Sequence, residues 1–215
     1  MRIELAGAGR RYNHDWIFRK TDLHFHSGNA YALTGPNGSG KSTMLGVIGG
    51  LLQPSEGKVF HYIDDKAVAP ENSYRHIALA APYLDVIEEF TATEFLDFHQ
   101  KFKPLRAGHS TASVLDRVGL TGAAHKQVRY YSSGMKQRVK LAQAFFSDTP
   151  ALLLDEPTSN LDATGVQLYK DLIGEETAGR LVIVCSNDPN EYDFCATVLS
   201  VTDHKPALRS VERKR

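Results

Sequence analysis

The chain has 215 residues, 42% of them hydrophobic and 23% charged, which excludes a disordered polymer and suits one large domain able to bury most of its apolar surface. Lys plus Arg and Asp plus Glu each number 25, so the formal net charge is zero and no nucleic-acid partner is expected. Two cysteines, Cys185 and Cys195, are too few for a disulfide framework or a zinc pattern and point to a reducing compartment. The stretch Met1-Arg2-Ile3-Glu4-Leu5 lacks the apolar core of a signal peptide, and the apolar runs are too short to span a bilayer. Any membrane role is therefore expected to run through a partner. The basic tail Arg213-Lys214-Arg215 reads as solvated.

Residues 3–25 read as short strands and turns, with apolar side chains alternating through Trp16, Phe18, Leu23 and Phe25. Gly28-Asn29 turns the chain into a strand over 31–34. Next comes Gly35-Pro36-Asn37-Gly38-Ser39-Gly40-Lys41-Ser42-Thr43, followed by the apolar-periodic Met44-Leu45-Gly46-Val47-Ile48. The spacing fits Gly, four residues, Gly-Lys-Ser/Thr, in which a strand enters a glycine turn whose amides and following helix N-terminus face a phosphate. The glycines keep Cβ atoms out of the phosphate's way. Lys41 supplies a mobile positive charge to the β- and γ-phosphates, and the Ser42 hydroxyl suits a Mg²⁺ ion shared with the nucleotide. The helix ends near Gly49-Gly50.

Beyond Pro54, residues 57–63 form a further strand or hairpin, and Ile77-Ala78-Leu79-Ala80 a core strand cut off by Pro82. From Thr93 to about Ser147 strand signals vanish. Phe95, Leu96 and Phe102 mark one helix, and Val114, Leu115 and Val118 a second that stops at Gly119. A third follows Ser132-Ser133-Gly134, with Met135, Val139, Ala142 and Phe146 on one face and Lys136, Arg138 and Lys140 on others. Its serine and glycine start is either plain capping or a second phosphate site. Ala151-Leu152-Leu153-Leu154 is a buried strand ending in Asp155-Glu156-Pro157, where the first carboxylate suits Mg²⁺ and the second can polarise water. Leu181 to Cys185 repeats the pattern and ends in Ser186-Asn187-Asp188.

In this order and spacing the chain resembles an ATP-binding cassette (ABC) ATPase, the nucleotide-binding subunit of an ABC transporter. The likeness covers nearly the whole sequence. Tyr131-Ser132-Ser133-Gly134-Met135-Lys136-Gln137-Arg138 resembles the family's signature Leu-Ser-Gly-Gly-Gln, matching at Ser132 and Gly134 and departing at Tyr131, Ser133 and Met135. Leu152-Leu153-Leu154-Asp155-Glu156-Pro157-Thr158 resembles its Walker B motif, and Ser159-Asn160-Leu161-Asp162 its D-loop.

The resemblance implies an α/β P-loop core with a parallel sheet, an antiparallel β subdomain at the N-terminus and a helical insert. The implied division gives residues 1–82 and 148–215 to the nucleotide-binding core and 83–147 to the helical signature subdomain. ATP and Mg²⁺ are the implied cofactors. Gly35, Asn37, Gly38, Ser39, Gly40, Lys41, Ser42 and Thr43 form the phosphate loop, and Ser42 and Asp155 hold Mg²⁺. Glu156 activates the attacking water, with Lys41 and Asn187 as its catalytic companions. Tyr12 stacks on adenine, with Trp16 as the competing stacker. Ser132, Gly134 and Asp162 face the nucleotide of a second ATPase subunit, in a head-to-tail homo- or heterodimer that closes on ATP. The dimer drives a separate polytopic permease from the cytoplasmic face of the membrane.

Two departures stand out. Asn187 occupies the place of the family's γ-phosphate-contacting histidine, keeping a neutral donor but not an imidazole. The segment Ala78-Leu79-Ala80-Ala81-Pro82-Tyr83 lacks the expected glutamine, Ala81 or Pro82 falling at its place, with Tyr83 or Asp85 as neighbours able to compensate. Slow hydrolysis with intact ATP binding is the expectation. The apolar residues between Tyr83 and Phe90 line either a groove for the membrane subunit or the core between subdomains. The alternative to a transport motor is a soluble ABC ATPase acting as a clamp or regulator on nucleic acid or protein. An inactive ATP sensor is a third reading, against which Glu156 stands.

Overall fold

The computed structural model describes residues 1–206, so the basic tail Arg213-Lys214-Arg215 lies outside the described residues. Three runs, β3 (Ala30–Thr34), β7 (Ala151–Asp155) and β8 (Leu181–Cys185), lie side by side in a five-stranded parallel sheet, with β6 (Ile77–Ala80) and β9 (Thr197–Ser200) at its edges. The order is β6-β7-β8-β3-β9. Burial on both faces explains why β7 and β8 are apolar at nearly every position instead of alternating. Their side chains still divide by period two. Leu152, Leu154, Val182 and Val184 point into one core, and Ala151, Leu153, Leu181, Ile183 and Cys185 into the other.

The second core is closed by α1 (Lys41–Ile48) and by an antiparallel sheet of order β2-β1-β4-β5. Its strands are β1 (Arg2–Tyr12), β2 (Asp15–His26), β4 (Glu56–Ile63) and β5 (Lys66–Val68). The short strands expected over 3–25 are therefore two long ones. Shifts of register at Leu5/Ala8, Ala8/Arg10 and Arg10/Arg11 interrupt the ladder without ending it, as bulges do. Gly57, on β4 where its pairing with β1 shifts between Ala6 and Gly9, is obligatory: it has φ +70°, and a Cβ would lie 2.2 Å from the Gly7 carbonyl oxygen.

The first core is closed by α2 (Ala92–His99), α3 (Thr111–Arg117), α4 (Ser133–Phe145) and α5 (Ala163–Glu176). Thr91 and Ser110 each begin their helix with a reciprocal capping box, to Glu94 and Ser113. Phe102, expected on the first of these helices, lies past its end at His99 and is exposed, its ring edge-on to Phe98 at 5.1 Å. Val118 and Phe146 fall at the C-caps of α3 and α4. Lys140, expected off the apolar face, is buried with its ammonium on the Pro82 carbonyl at 2.8 Å. Both cysteines are free.

Arg180, in the turn before β8, is 3% exposed and ties the helices to this sheet. Its guanidinium donates to the Phe145 carbonyl at 2.8 Å, the Glu176 carbonyl at 3.3 Å, the Ala144 carbonyl at 3.4 Å and the Thr149 hydroxyl at 2.8 Å. Those carbonyls are the unpaired ends of α4 and α5, where a cation is favoured by the helix dipole. Burial lowers its pKa to about 10, which leaves it charged at neutral pH. Arg180→Met is expected to lower unfolding stability by about 2–4 kcal/mol, read as a lower urea midpoint, because buried acceptors lose their donor.

Candidate nucleotide site

The polar ends of β3, β7 and β8 meet at the carboxyl edge of the sheet, where open α/β folds bind ligands. β3 runs into the glycine loop, and α1 starts at Lys41 with Gly40 as its N-cap at φ +105°. No other residue fits at Gly40, because a Cβ would lie 2.0 Å from Ile17 Cγ2. Ile17 was not singled out in the sequence, although it sits on β2 out of phase with Phe18 and faces the loop. Lys41 is 6% exposed, and its ammonium donates to the Gly35 carbonyl at 2.8 Å. The loop residues Asn37, Gly38, Gly40, Lys41, Ser42 and Thr43 share a cavity of about 280 Å³ with Ile17 and Glu156. Ser39 turns inward instead, its hydroxyl buried without a partner and beside the place a Gly35 Cβ would take.

Asp155 ends β7 at 2% exposure, and neither carboxylate oxygen has a hydrogen-bond partner. Burial is the main cause of its raised pKa; the Ser42 hydroxyl, close but short of a formed bond, pulls the other way. An ionised carboxylate is stable in such a place only against a cation. Among the described residues no three His, Cys, Asp or Glu side chains cluster to hold a metal. A donor set of one carboxylate and one hydroxyl suits Mg²⁺, which takes few protein ligands and completes its shell with phosphate and water.

Glu156 follows in the left-handed region, φ +42°, a costly conformation for a non-glycine residue. Its amide donates to the Cys185 carbonyl at 2.9 Å and its side chain is exposed toward the loop cavity. The next residues are held from below. The buried carboxylate of Glu191 accepts from the Thr158 amide at 2.7 Å and from the Thr158 hydroxyl, and the buried Gln137 side chain donates to the Pro157 carbonyl at 2.8 Å.

Asn187 lies at the loop's mouth. Its carbonyl accepts from the Gly35 amide at 3.3 Å and its amide donates to the Asn37 side chain at 3.0 Å. The Gly35 backbone is thus held at its carbonyl by Lys41 and at its amide by Asn187. Tyr12 is 45% exposed and lines a second cavity of about 230 Å³ with Ser42, Thr43, Gly46, Leu51, Leu52 and Tyr83. Both rings carry a guanidinium, Arg10 over Tyr12 at 4.9 Å and Arg19 over Trp16 at 4.5 Å.

Ser132, Gly134 and Asp162 gather elsewhere. They line a cavity of about 370 Å³ with Gly119, Arg138 and Asn160. The Ser132 hydroxyl caps α4 by accepting from the Met135 amide at 3.2 Å. A Cβ on Gly134 would sit 3.0 Å from the Asn160 carbonyl, so a glycine lets the helix start approach the loop after β7. Asp162 caps α5, and the Gly165 amide, first among several donors, holds its carboxyl below the usual range.

A strand, a glycine loop and a helix that buries its lysine make this a P-loop nucleoside triphosphatase. Sequence comparison narrows the class: residues 18–159 match the family model described as "ABC transporter", and the chain belongs to that family as the ATP-binding, ATP-hydrolysing component. It is 35% identical over 187 residues to the cytochrome c biogenesis ATP-binding export protein CcmA of Rhizobium johnstonii, covering 83% of this chain and 85% of that one. It is 31% identical over 206 residues to the daunorubicin/doxorubicin resistance ATP-binding protein DrrA of Streptomyces peucetius, covering 94% of this chain and 62% of that one. Among solved structures, the dimeric post-hydrolysis state of the ATP-binding cassette MJ0796 with ADP and phosphate bound superposes with a TM-score of 0.79. It is 28% identical, with 94% of this chain and 95% of that one covered.

Asn187→Asp keeps the acceptor for the Gly35 amide, loses the donor to Asn37 and adds a negative charge where phosphates enter. It is expected to weaken ATP binding by about tenfold or more, and by more than Asn187→Ala does, in fluorescent-nucleotide titration.

Proposed function

We propose that the chain is one of two ATPase subunits that close head to tail on ATP and drive a separate polytopic permease from the cytoplasmic face of the membrane. The buried, unpartnered Asp155 carboxylate beside the phosphate loop carries this reading, because it calls for a cation that a nucleotide brings. Lys41, Ser42 and the loop amides of Gly38 and Gly40 hold the β- and γ-phosphates, Tyr12 takes the adenine, and Ser42 with Asp155 would hold Mg²⁺. When bound, that ion neutralises charge building on the phosphate oxygens. Glu156 accepts a proton from the attacking water as its oxygen bonds to the γ-phosphorus and the bond to the ADP oxygen breaks.

Ser132, Gly134 and Asp162 lie in a cavity apart from this loop, which supports a role toward the nucleotide of a partner subunit, identical or not. Residues 83–147 act as the helical signature subdomain and 1–82 with 148–215 as the core, residues 207–215 of that division lying outside the described residues. Asn187, already committed to the loop, sets its shape and reaches the γ-phosphate as a neutral donor, so hydrolysis is slow relative to binding. Among the described residues no helix is long and apolar enough to cross a membrane, in keeping with work through a permease. The named relatives act in export and drug resistance, which favours outward transport.

Glu156→Gln tests the assignment. Phosphate release is expected to fall at least about 10²-fold while ATP binding persists and an ATP-dependent dimer accumulates on a sizing column. An unchanged rate, or no ATP-dependent dimer, overturns it.

A further inference from the structure

One buried carboxylate near the nucleotide site takes no part in the chemistry described so far. Glu191 is 4% exposed and ends the short helical turn Pro189–Glu191 that follows Asn187 and Asp188. Its side chain reaches across to the loop after β7. A single oxygen, Oε1, accepts from the Thr158 amide at 2.7 Å and from the Thr158 hydroxyl. Thr158 stands two residues past Glu156, and the turn that holds both is closed by the Ser159 amide donating to the Glu156 carbonyl at 3.1 Å.

Glu156 sits at φ +42°, which a non-glycine residue keeps only where its surroundings impose it. Three elements do so. β8 accepts the Glu156 amide at the Cys185 carbonyl, Gln137 of α4 donates to the Pro157 carbonyl, and Glu191 takes both donors of Thr158. Of the three, only Glu191 comes from the loop that also carries Asn187. That loop is braced from within and from behind. The Asp188 amide donates to the Ser186 hydroxyl at 2.9 Å, the Asp188 carboxylate accepts from the Asn190 amide at 2.9 Å, and the Glu191 amide donates to the Asp188 carbonyl at 3.0 Å. The buried Tyr169 hydroxyl of α5 donates to the Glu191 carbonyl at 2.6 Å. The contacts of Asn187 with Gly35 and Asn37 and those of Glu191 with Thr158 thus lie at the two ends of one internally bonded segment.

We propose that Glu191 is a positioning residue for hydrolysis: by holding both donors of Thr158 it sets the turn that aims Glu156 at the attacking water, and it ties that turn to the segment through which Asn187 meets the phosphate loop. The assignment rests on the reading of Glu156 as the base that takes the water's proton. Without the carboxylate, the half-buried Thr158 amide and hydroxyl lose their acceptor and Glu156 is free to leave its left-handed conformation. ATP binding through Lys41, Ser42 and the loop amides needs none of these bonds, so the loss falls on turnover.

The test measures phosphate release by the full chain and, separately, its ATP affinity by fluorescent-nucleotide titration. Glu191→Ala is expected to lower kcat about tenfold or more with ATP affinity within about twofold, and Glu191→Gln, which keeps a carbonyl oxygen for Thr158, to recover most of the loss. Thr158→Val keeps the amide bond and removes the hydroxyl's; it is expected to lower kcat about threefold, and it decides the matter should Glu191→Ala not fold. Tyr169→Phe, which removes only the bond to the Glu191 main chain, is expected to lower the urea midpoint with kcat within about twofold. With Glu156→Gln as parent, Glu191→Ala is expected to change the residual rate by less than about twofold, because the group it positions is already gone. Unchanged kcat in Glu191→Ala or in Thr158→Val, no recovery in Glu191→Gln, an equal loss in Tyr169→Phe, or a full loss in the Glu156→Gln parent each overturns the role. Failure of the reading beneath it shows separately, as a chain that binds no ATP or a Glu156→Gln variant that hydrolyses at the original rate.

Discussion

Three parallel strands buried on both faces govern the molecule. Because β3, β7 and β8 have no wet side, nearly all of their positions go to apolar side chains, and polar function can begin only where each strand ends. That is where the chain puts its chemistry: the glycine loop after Thr34, Asp155-Glu156 after Leu154, and Ser186-Asn187 after Cys185. The register of the strands brings these ends together. Asp155 pairs with Cys185, Leu33 with Cys185, and the Glu156 amide hands its bond to the Cys185 carbonyl. A slip of one residue would turn these side chains to the opposite face, so the apolar packing and the site geometry are one constraint.

The buried charges make sense only as a set. Lys41 and Asp155 are both nearly inaccessible, and each is left partly unsatisfied by protein groups: the lysine has one carbonyl, the aspartate nothing. An anionic nucleotide adds to the single partner of Lys41, and the proposed cation would supply the one Asp155 lacks, so binding would relieve a desolvation cost held in the site. Asn187 fits the same logic. A neutral amide can brace the Gly35 peptide and Asn37 without adding a charge that would compete with Lys41 or repel phosphate.

Much of this was legible in the sequence wherever the cause is local. The phosphate loop announces itself through glycines at positions that need left-handed φ, and β7 and β8 through unbroken apolar runs. What escaped depends on partners far along the chain. β5 and β9 are short, largely exposed edge strands whose identity comes from their neighbours. The lengths of β1 and β2 hide behind bulges. Lys140 looks like a surface residue until Pro82, 58 positions away, is brought beneath it, and the two bonds of Asn187 span about 150 positions. In the stretch from Tyr83 to Phe90, Val86 is core and Phe90 packs against it, while Tyr83 and Ile87 are exposed.

α4 is where these strands of argument join. Its first turn carries Ser132 as cap and Gly134 against the Asn160 carbonyl, its second holds Pro157 through Gln137 and Glu88 through Lys136, its third holds Pro82 through Lys140, and its end is clamped by Arg180. The helix therefore grips both the loop after β6 and the loop after β7, the two that flank Asp155. A shift in either loop when the Asp155 charge gains its partner must move α4 or break a buried hydrogen bond, and breaking one costs about 1–3 kcal/mol.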